Sequence, residues 1–323
     1  MNILITGIHG FVGSNLVKAL KANHTIYGLD IVCPEKEGVA KTFSWAELNN
    51  LPPLDVIIHL AGKAHDTKSQ TNSQVYFDIN TGLTQKIYDW FLSSQAKKFV
   101  FFSSVKAAAD RVEGDYLTED VIPTPRGPYG ESKIAAENYL LSKLDITDNT
   151  ELKSPNPQLP TKFTYILRPC MIHGPGNKGN LNLLYQVVLK GIPYPLGAFE
   201  NRRSFCSVVN LSFVITSLIE NDIESGIYNV GDDETLSTNQ LISLMATTMR
   251  KPNRIWNWNK SVIELIARIG TKLHFPLNTE RLQKLTENYV VSNNKLKNAL
   301  KIEKMPVSAE EGFRGTIQSF ENK

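Results

Sequence analysis

The sequence predicts a doubly wound α/β fold, a parallel sheet with helices on both faces. Three observations carry this prediction. The first 170 residues alternate short β-type runs with helical patterns. Those runs are apolar throughout rather than at every second residue, which is the signature of strands buried on both faces. The first run also leads straight into Gly7-Ile8-His9-Gly10-Phe11-Val12-Gly13, a turn suited to opening a helix. Strand and helix in alternation imply right-handed crossovers.

The expected strands are NILITG, HTIYGLDI, LDVIIHLAG, KKFVFFSSV and FTYILRP, all rich in Ile, Val, Leu and Phe. Between them, SNLVKALKAN, QVYFDINTGLTQKIYDWFLSSQ and YGESKIAAENYLLSKL read as helices. In the second, Tyr76, Ile79, Leu83, Ile87, Trp90 and Phe91 recur at helical spacing and are expected to face the sheet. After Arg168-Pro169 the pattern weakens, with Gly174-Pro175-Gly176, Pro193, Pro195 and Gly197 breaking the chain. One more β-type run, GIYNVGDD, precedes helical stretches at 237–250, 260–273, 293–300 and 308–321. The last starts at Ser308-Ala309-Glu310-Glu311, a capping box. These features predict a Rossmann-type dinucleotide domain from 1–168 and 204–232. A smaller lobe from 169–203 and 233–323 is expected to close over the sheet's end and hold substrate. The polar segment 145–162 is expected to be a surface loop.

With 35 Lys and Arg against 32 Asp and Glu, the net charge is only +3, which argues against nucleic-acid binding. The apolar runs are far shorter than the ~20 residues of a membrane helix, so no membrane insertion is expected. No leader is expected before the first strand, and a cytoplasmic location is expected. Cys33, Cys170 and Cys206 are too widely spaced for a disulfide framework or a metal site.

A glycine-rich strand-to-helix turn suits a dinucleotide for steric and electrostatic reasons. Gly7 and Gly10 let the backbone approach a pyrophosphate, and Gly13 lets the helix pack closely. The N–H groups of Phe11 and Val12 stand at the helix's positive end. Asp30 ends the second strand, 23 positions after Gly7, where a ribose hydroxyl needs an acceptor. A carboxylate there repels a 2′-phosphate, and Ile31, Val32 and Cys33 offer no arginine to receive one. NAD is therefore expected rather than NADP. His9 is expected to face solvent.

Tyr129 and Lys133 form a YxxxK pair, as do Tyr139 and Lys143. Tyr129 follows the Pro125-Arg126-Gly127-Pro128 turn and begins its helix near the strand ends, where open α/β sheets bind ligands. Tyr139 lies deep in the helix and reads as a packing residue. A phenol of pKa ~10 is a poor base at neutral pH, so the Lys133 ammonium one turn away, together with a positive nicotinamide ring, is expected to lower it. Ser104, at the end of KKFVFFSS, is placed to orient the reacting hydroxyl.

Taken together, TGIHGFVG, Asp30, HLAGKAH, DINTGLT, FFSSV, PYGESKIAAE, LRPCMIHGPG and NRRSFCSVVNL make the chain resemble an extended short-chain dehydrogenase/reductase of the nucleotide-sugar epimerase/dehydratase family. The resemblance implies that Ser104, Tyr129 and Lys133 are catalytic. It also implies that Leu60, Ala61, Gly62, Lys63 and Asn80 line the cofactor, with Ile31 beside Asp30. Asn180, Arg203 and Arg281 would hold the nucleotide diphosphate, and Tyr289 would project near the sugar's 2-substituent. Dehydratases of this family carry Asp-Glu directly after the catalytic hydroxyl residue, whereas this chain has Val105-Lys106. Dehydration is therefore not expected. The implied activity is a 4-epimerase acting on a UDP-hexose or UDP-N-acetylhexosamine through a 4-keto sugar. Two alternatives stand beside it: an NAD(P)H-dependent reductase of a 4-keto-6-deoxy sugar in surface polysaccharide synthesis, and a catalytically idle dinucleotide-binding regulator. Family habit also implies a homodimer through the helices containing Trp90 and Ile134.

Overall fold

The computed structural model describes residues 1–63, 72–144, 160–177, 179–273 and 278–321. The chain begins β1 (Asn2–Thr6), α1 (Phe11–Leu20), β2 (Thr25–Asp30), β3 (Lys41–Ser44), a 3-10 turn, β4 (Val56–His59) and α2 (Ser73–Tyr76). A π turn (Phe77–Gly82) leads into α3 (Leu83–Ser93), then β5 (Lys98–Phe102), α4 (Val105–Ala108), α5 (Gly127–Lys143) and β6 (Phe163–Pro169). Next come β7 (Met171–His173), α6 (Asn180–Leu189), β8 (Arg203–Ser207), α7 (Val208–Glu220), β9 (Gly226–Val230) and β10 (Thr235–Leu236). The chain closes with α8 (Thr238–Thr248), α9 (Lys260–Leu273), α10 (Thr279–Thr286), α11 (Asn294–Leu300) and α12 (Ala309–Glu321).

Seven strands form one parallel sheet in the order β3-β2-β1-β4-β5-β6-β9. Each apolar run read from the sequence supplies one of its strands. Order reverses between β1 and β4, so the loops after these strands meet at a crevice suited to a dinucleotide. One apolar cluster packs α1 and α7 on one face of the sheet through Leu16, Val17, Leu211 and Val214. A second packs α3 and α5 on the other through Ile87, Phe91, Ala136 and Leu140.

The short strands β3, β7, β8 and β10 and the helices α4, α6, α7 and α10 are not evident from pattern alone. β7, β8 and β10 make a separate three-stranded sheet, antiparallel only between β8 and β10. The predicted 74–95 helix is broken by the π turn, whose Asn80 side chain is used for bonds outside the helix. Most of the expected 145–162 loop, residues 145–159, lies outside the described residues.

Two buried lysines close helix ends in place of glycine caps. The Lys162 ammonium donates to the carbonyls of Phe91, Ser94 and Ala96 at 2.8–2.9 Å, at the end of α3. Burial lowers its pKa to about 8. Lys98 does the same for Leu218, Ile219 and Asn221 at the end of α7. Each places a cation on carbonyls that a helix leaves unpaired.

A third charged feature fixes α5 over the sheet. Arg168, on β6, meets Glu137, on α5, at 2.6 Å, with both side chains fully buried. The Arg168 Nε also donates to both carboxylate oxygens, and the Ser103 hydroxyl donates to Glu137 as well. Removing one member leaves the other buried and uncompensated. Arg168→Met alone is expected to lower the unfolding free energy by about 3–5 kcal/mol in urea titration, and Arg168→Met with Glu137→Leu to recover most of it.

Candidate active site

Gly7 adopts φ +67°, a conformation that disfavours side chains, and a Cβ there would stand 3.0 Å from the Ala61 backbone. At Gly13 a Cβ would lie 2.7 Å from the Ile8 carbonyl, so the sharp turn into α1 requires both glycines. No side chain caps α1 at Gly10, leaving the first-turn N–H groups of Phe11, Val12 and Gly13 at an open helix end.

The Asp30 carboxylate accepts the His9 N–H at 3.1 Å and the Ile31 N–H at 2.8 Å. The acid at the end of β2 is thereby held against the glycine loop. The Ile31 side chain itself is exposed. His9 does not simply face solvent: its Nε2 is buried without a hydrogen-bond partner among the described residues. An orphaned polar atom inside a glycine cradle fits a bound dinucleotide.

Sequence reasoning missed two contributors here. Lys36 donates to Ser14 Oγ at 2.9 Å, and its charge acts on Asp30. Asn15 Nδ2 bridges the Phe11 and Pro175 carbonyls at 2.9 and 3.0 Å, drawing the Gly174-Pro175-Gly176 loop onto the start of α1. Only the fold brings residues 15 and 175 together.

The strip Leu60-Ala61-Gly62-Lys63 follows β4 and meets the π turn. Lys63 N–H donates to Asn80 Oδ1 at 2.7 Å, and Asn80 Nδ2 donates to Ser132 Oγ at 2.9 Å and to the Lys63 carbonyl at 3.2 Å. Ser132 in turn donates to the Tyr129 carbonyl at 2.9 Å. A Cβ on Gly62 would sit 2.9 Å from Asn80 Oδ1 and 3.1 Å from Lys133 Nζ, so only glycine fits this corner.

A buried relay fixes the strip from below. Ala61 N–H donates to Thr6 Oγ1 at 2.9 Å, and Thr6 Oγ1 lies 2.7 Å from His59 Nδ1. His59 Nε2 lies 3.0 Å from Thr84 Oγ1, which donates to the Asn80 carbonyl at 2.6 Å. Because the Thr84 proton is committed to Asn80, His59 must donate from Nε2 and accept at Nδ1. The imidazole is thus neutral, and burial drives its pKa down to about 3, the nearby Lys133 charge acting in the same direction. The sequence singles out none of Thr6, His59 and Thr84.

Tyr129, Lys133 and Glu137 form one i, i+4, i+8 stripe of α5. Tyr129 lies in the first turn, after Pro128, and Ser104 stands at the start of α4, accepting the Lys106 N–H at 3.2 Å. The geometry brings Ser104 and Tyr129 together. Burial raises the Tyr129 pKa, a hydrogen bond from Ser104 opposes this, and Tyr76 adds to it. The Lys133 ammonium donates to the Phe102 carbonyl at 2.8 Å and faces Gly62 and Asn80. Its own pKa falls to about 8 through burial, with Glu137 pulling it back up. The second pair behaves differently. Tyr139 donates to Asp89 near the surface and packs beside the α3–α5 cluster.

On the opposite side, Arg203 donates to the Lys284 carbonyl at 3.0 Å, at the end of the helix that carries Arg281. Asn180 opens α6, but its side chain lies outside the described residues. Tyr289 pairs with Arg203 in an isolated bridge. Its hydroxyl donates to the carbonyls of Val105 and Ala109 at 3.2 and 2.7 Å, and the ring is buried. It therefore braces the turn carrying Ser104 rather than offering a free group to a sugar substituent. Lys106 is paired with Asp110 and lies 4.5 Å over the Tyr289 ring.

This arrangement can hold a dinucleotide at the strand ends between β1 and β4 and move a proton from an adjacent hydroxyl. The sequence profile of the NAD dependent epimerase/dehydratase family matches residues 3–231. The chain belongs to this family. It is therefore an enzyme of NAD-dependent chemistry, on a Rossmann-like fold. It is 29% identical, over 99% of its length and 95% of the relative's, to a UDP-glucose 4-epimerase of Vibrio cholerae. It is 28% identical, over 77% of this chain and 73% of the relative, to an N-acetyl-alpha-D-glucosaminyl-diphospho-ditrans,octacis-undecaprenol 4-epimerase of Escherichia coli O157:H7. A UDP-glucuronic acid 4-epimerase from Bacillus cereus, solved with NAD, has the same fold. The TM-score is 0.72 at 20% identity, covering 100% of this chain and 99% of that one.

The neutral relay makes a testable demand. Protons bind His59 near pH 6.5 in the unfolded chain but only near 3 in the folded one, so stability must fall as pH drops through this window. Between pH 7 and pH 5 the wild type is expected to lose about 2 kcal/mol from this group. His59→Gln, which cannot take up a proton there, should show that much less acid sensitivity in urea titrations at the two pH values.

Proposed function

We propose that the protein is a nucleotide-sugar 4-epimerase, oxidising and re-reducing carbon 4 of a UDP-hexose or UDP-N-acetylhexosamine through a 4-keto intermediate. The observation that carries this reading is the Ser104–Tyr129 hydrogen bond set beside a glycine cradle that includes Gly62. The names of both curated relatives, each a 4-epimerase of a diphosphate-linked sugar, support it.

NAD, when bound, supplies the hydride acceptor for the carbinol carbon and a positive charge near the phenol. Tyr129 takes the proton of the 4-hydroxyl as that hydroxyl becomes a ketone, and Ser104 steadies the phenolate by donating to it. Lys133 holds the strand-end carbonyl of Phe102 and keeps a cation at the Gly62–Asn80 corner. Tyr129 then returns its proton to the oxygen of carbon 4 in the reverse step. Arg203, on β8, and Arg281, on α10, supply positive charge for the diphosphate, and Asn180 joins them at the start of α6. Asp30 receives the adenosine ribose. Residues 1–168 and 204–232 serve the cofactor in this reading, while 169–203 and 233–323 serve the sugar nucleotide. A homodimer and a cytoplasmic location complete it.

A reductase remains the second reading. It is favoured by 26% identity, over 76% of this chain, to a GDP-6-deoxy-D-mannose reductase of Pseudomonas aeruginosa. The two part on cofactor use. An epimerase regenerates its NAD in each cycle and is expected to leave desalting with NAD bound and to interconvert UDP-glucose and UDP-galactose with none added. A protein that desalts empty and consumes added NADPH would overturn the epimerase assignment. Tyr129→Phe should keep its NAD while turnover falls by about 10²–10⁴, the usual loss on removing a general acid–base.

A further inference from the structure

We propose that α9, together with Trp256 and Trp258, is a docking face for an anionic lipid bilayer surface. Only Ile263, Ala267 and Gly270 of this helix are buried, a narrow stripe seated on Leu196 and Leu282. At about 100° per residue, Val262, Leu265, Ile266, Ile269 and Leu273 fall within one arc of about 100° beside that stripe. All five are exposed, Leu265 by 57% and Leu273 by 58%. The apolar face of α9 is thus far wider than the body of the protein covers. Glu264, the helix's single acid, falls on the far side of the turn from the exposed arc.

The segment entering the helix adds a second, independent feature. Ile255 and Asn257 are bridged to Tyr194 and Leu196, which turns Trp256 and Trp258 outward on the same side of an extended strand. Their rings stack at 6.5 Å with 17° between planes and are 49% and 44% exposed. Since Leu196 both pairs with Asn257 and supports Ile263, the tryptophans and α9 belong to one region of the surface.

Charge selects the occupant. Residues 250–273 carry six basic side chains (Arg250, Lys251, Arg254, Lys260, Arg268 and Lys272) against Glu264 alone, all six exposed. The whole chain is only +3, so this patch is more positive than the protein that bears it. Two copies brought face to face here would repel each other, whereas an anionic headgroup layer attracts both. An aliphatic stripe, paired tryptophans and a Lys/Arg surround are what a helix lying in a bilayer interface requires. Among the described residues no helix is long and apolar enough to cross a membrane, which suits a surface contact instead.

The test mixes the full chain with vesicles of phosphatidylcholine alone, or of phosphatidylcholine containing phosphatidylglycerol, and sediments them. Wild-type protein is expected in the pellet with the anionic vesicles and in the supernatant with the neutral ones. Leu265→Glu with Ile269→Glu should weaken partition by more than about tenfold, the worth of two buried methylene groups, with an unchanged melting temperature and unchanged retention of NAD. Wild-type protein that ignores anionic vesicles, or a double variant that still pellets, overturns the proposal. It is also overturned if the double variant only converts a larger species to a smaller one by light scattering, for then the face joins copies of the chain.

Discussion

The geometry of the Tyr129–Lys133–Glu137 stripe depends on one buried carboxylate. Glu137 lies two turns beyond Tyr129 and one beyond Lys133, on the same line of α5. It is held by Arg168 of β6 and by Ser103 at the end of β5. Hydrophobic packing alone would let the helix slide or roll by fractions of a turn at small cost. A bidentate ion pair in a dry interior has one good arrangement, so it sets register and rotation together. Its charge has a second effect. Burial alone would strip the proton from Lys133, and Glu137 at the next turn opposes that, keeping a useful fraction of ammonium near neutrality.

The same logic of fixed polar contacts governs the other half of the site. The π turn at Phe77–Gly82 displaces Asn80 from the regular helical ladder, and its amide is then used to join Lys63 to Ser132. Thr6, His59 and Thr84 support that turn from the sheet side. A neutral histidine serves here because it can accept at one nitrogen and donate at the other, spanning two hydroxyls that face it from a strand and a helix. The Leu60–Lys63 strip and α5 are thus joined by hydrogen bonds through Asn80 and Ser132.

What could be read from the chain follows from the range of each signal. The strands of the large sheet other than β3, the glycine turn, Asp30 and the Ser104–Tyr129–Lys133 set are local or carried by known spacing. The helices at 260–273 and 308–321 also follow from short-range pattern. The π turn left no trace, because Asn80 and Ser132 are 52 residues apart and only tertiary contact shows what the amide is for. Strands β7, β8 and β10 have two to five residues each, too few for a period to register. The charge on Lys133 looked like a partner for the phenol when only the i, i+4 spacing was in hand. The backbone carbonyl of Phe102, invisible in side-chain reasoning, accepts a hydrogen bond from that ammonium.

That last difference bears on how one phenol could serve both halves of an epimerisation. A tyrosinate stabilised permanently by a neighbouring ammonium would be a ready base but a weak acid, and the return of the proton to oxygen would suffer. Here burial raises the Tyr129 pKa, and the Ser104 hydrogen bond favours the anion. The phenolate then becomes accessible only when further positive charge enters the site, and it is discouraged again once that charge is gone. An acid–base group whose affinity for the proton follows the redox state beside it suits a reaction that must run forward and back on the same carbon. Lys133, bonded to the Phe102 carbonyl, keeps its own cation beside Gly62.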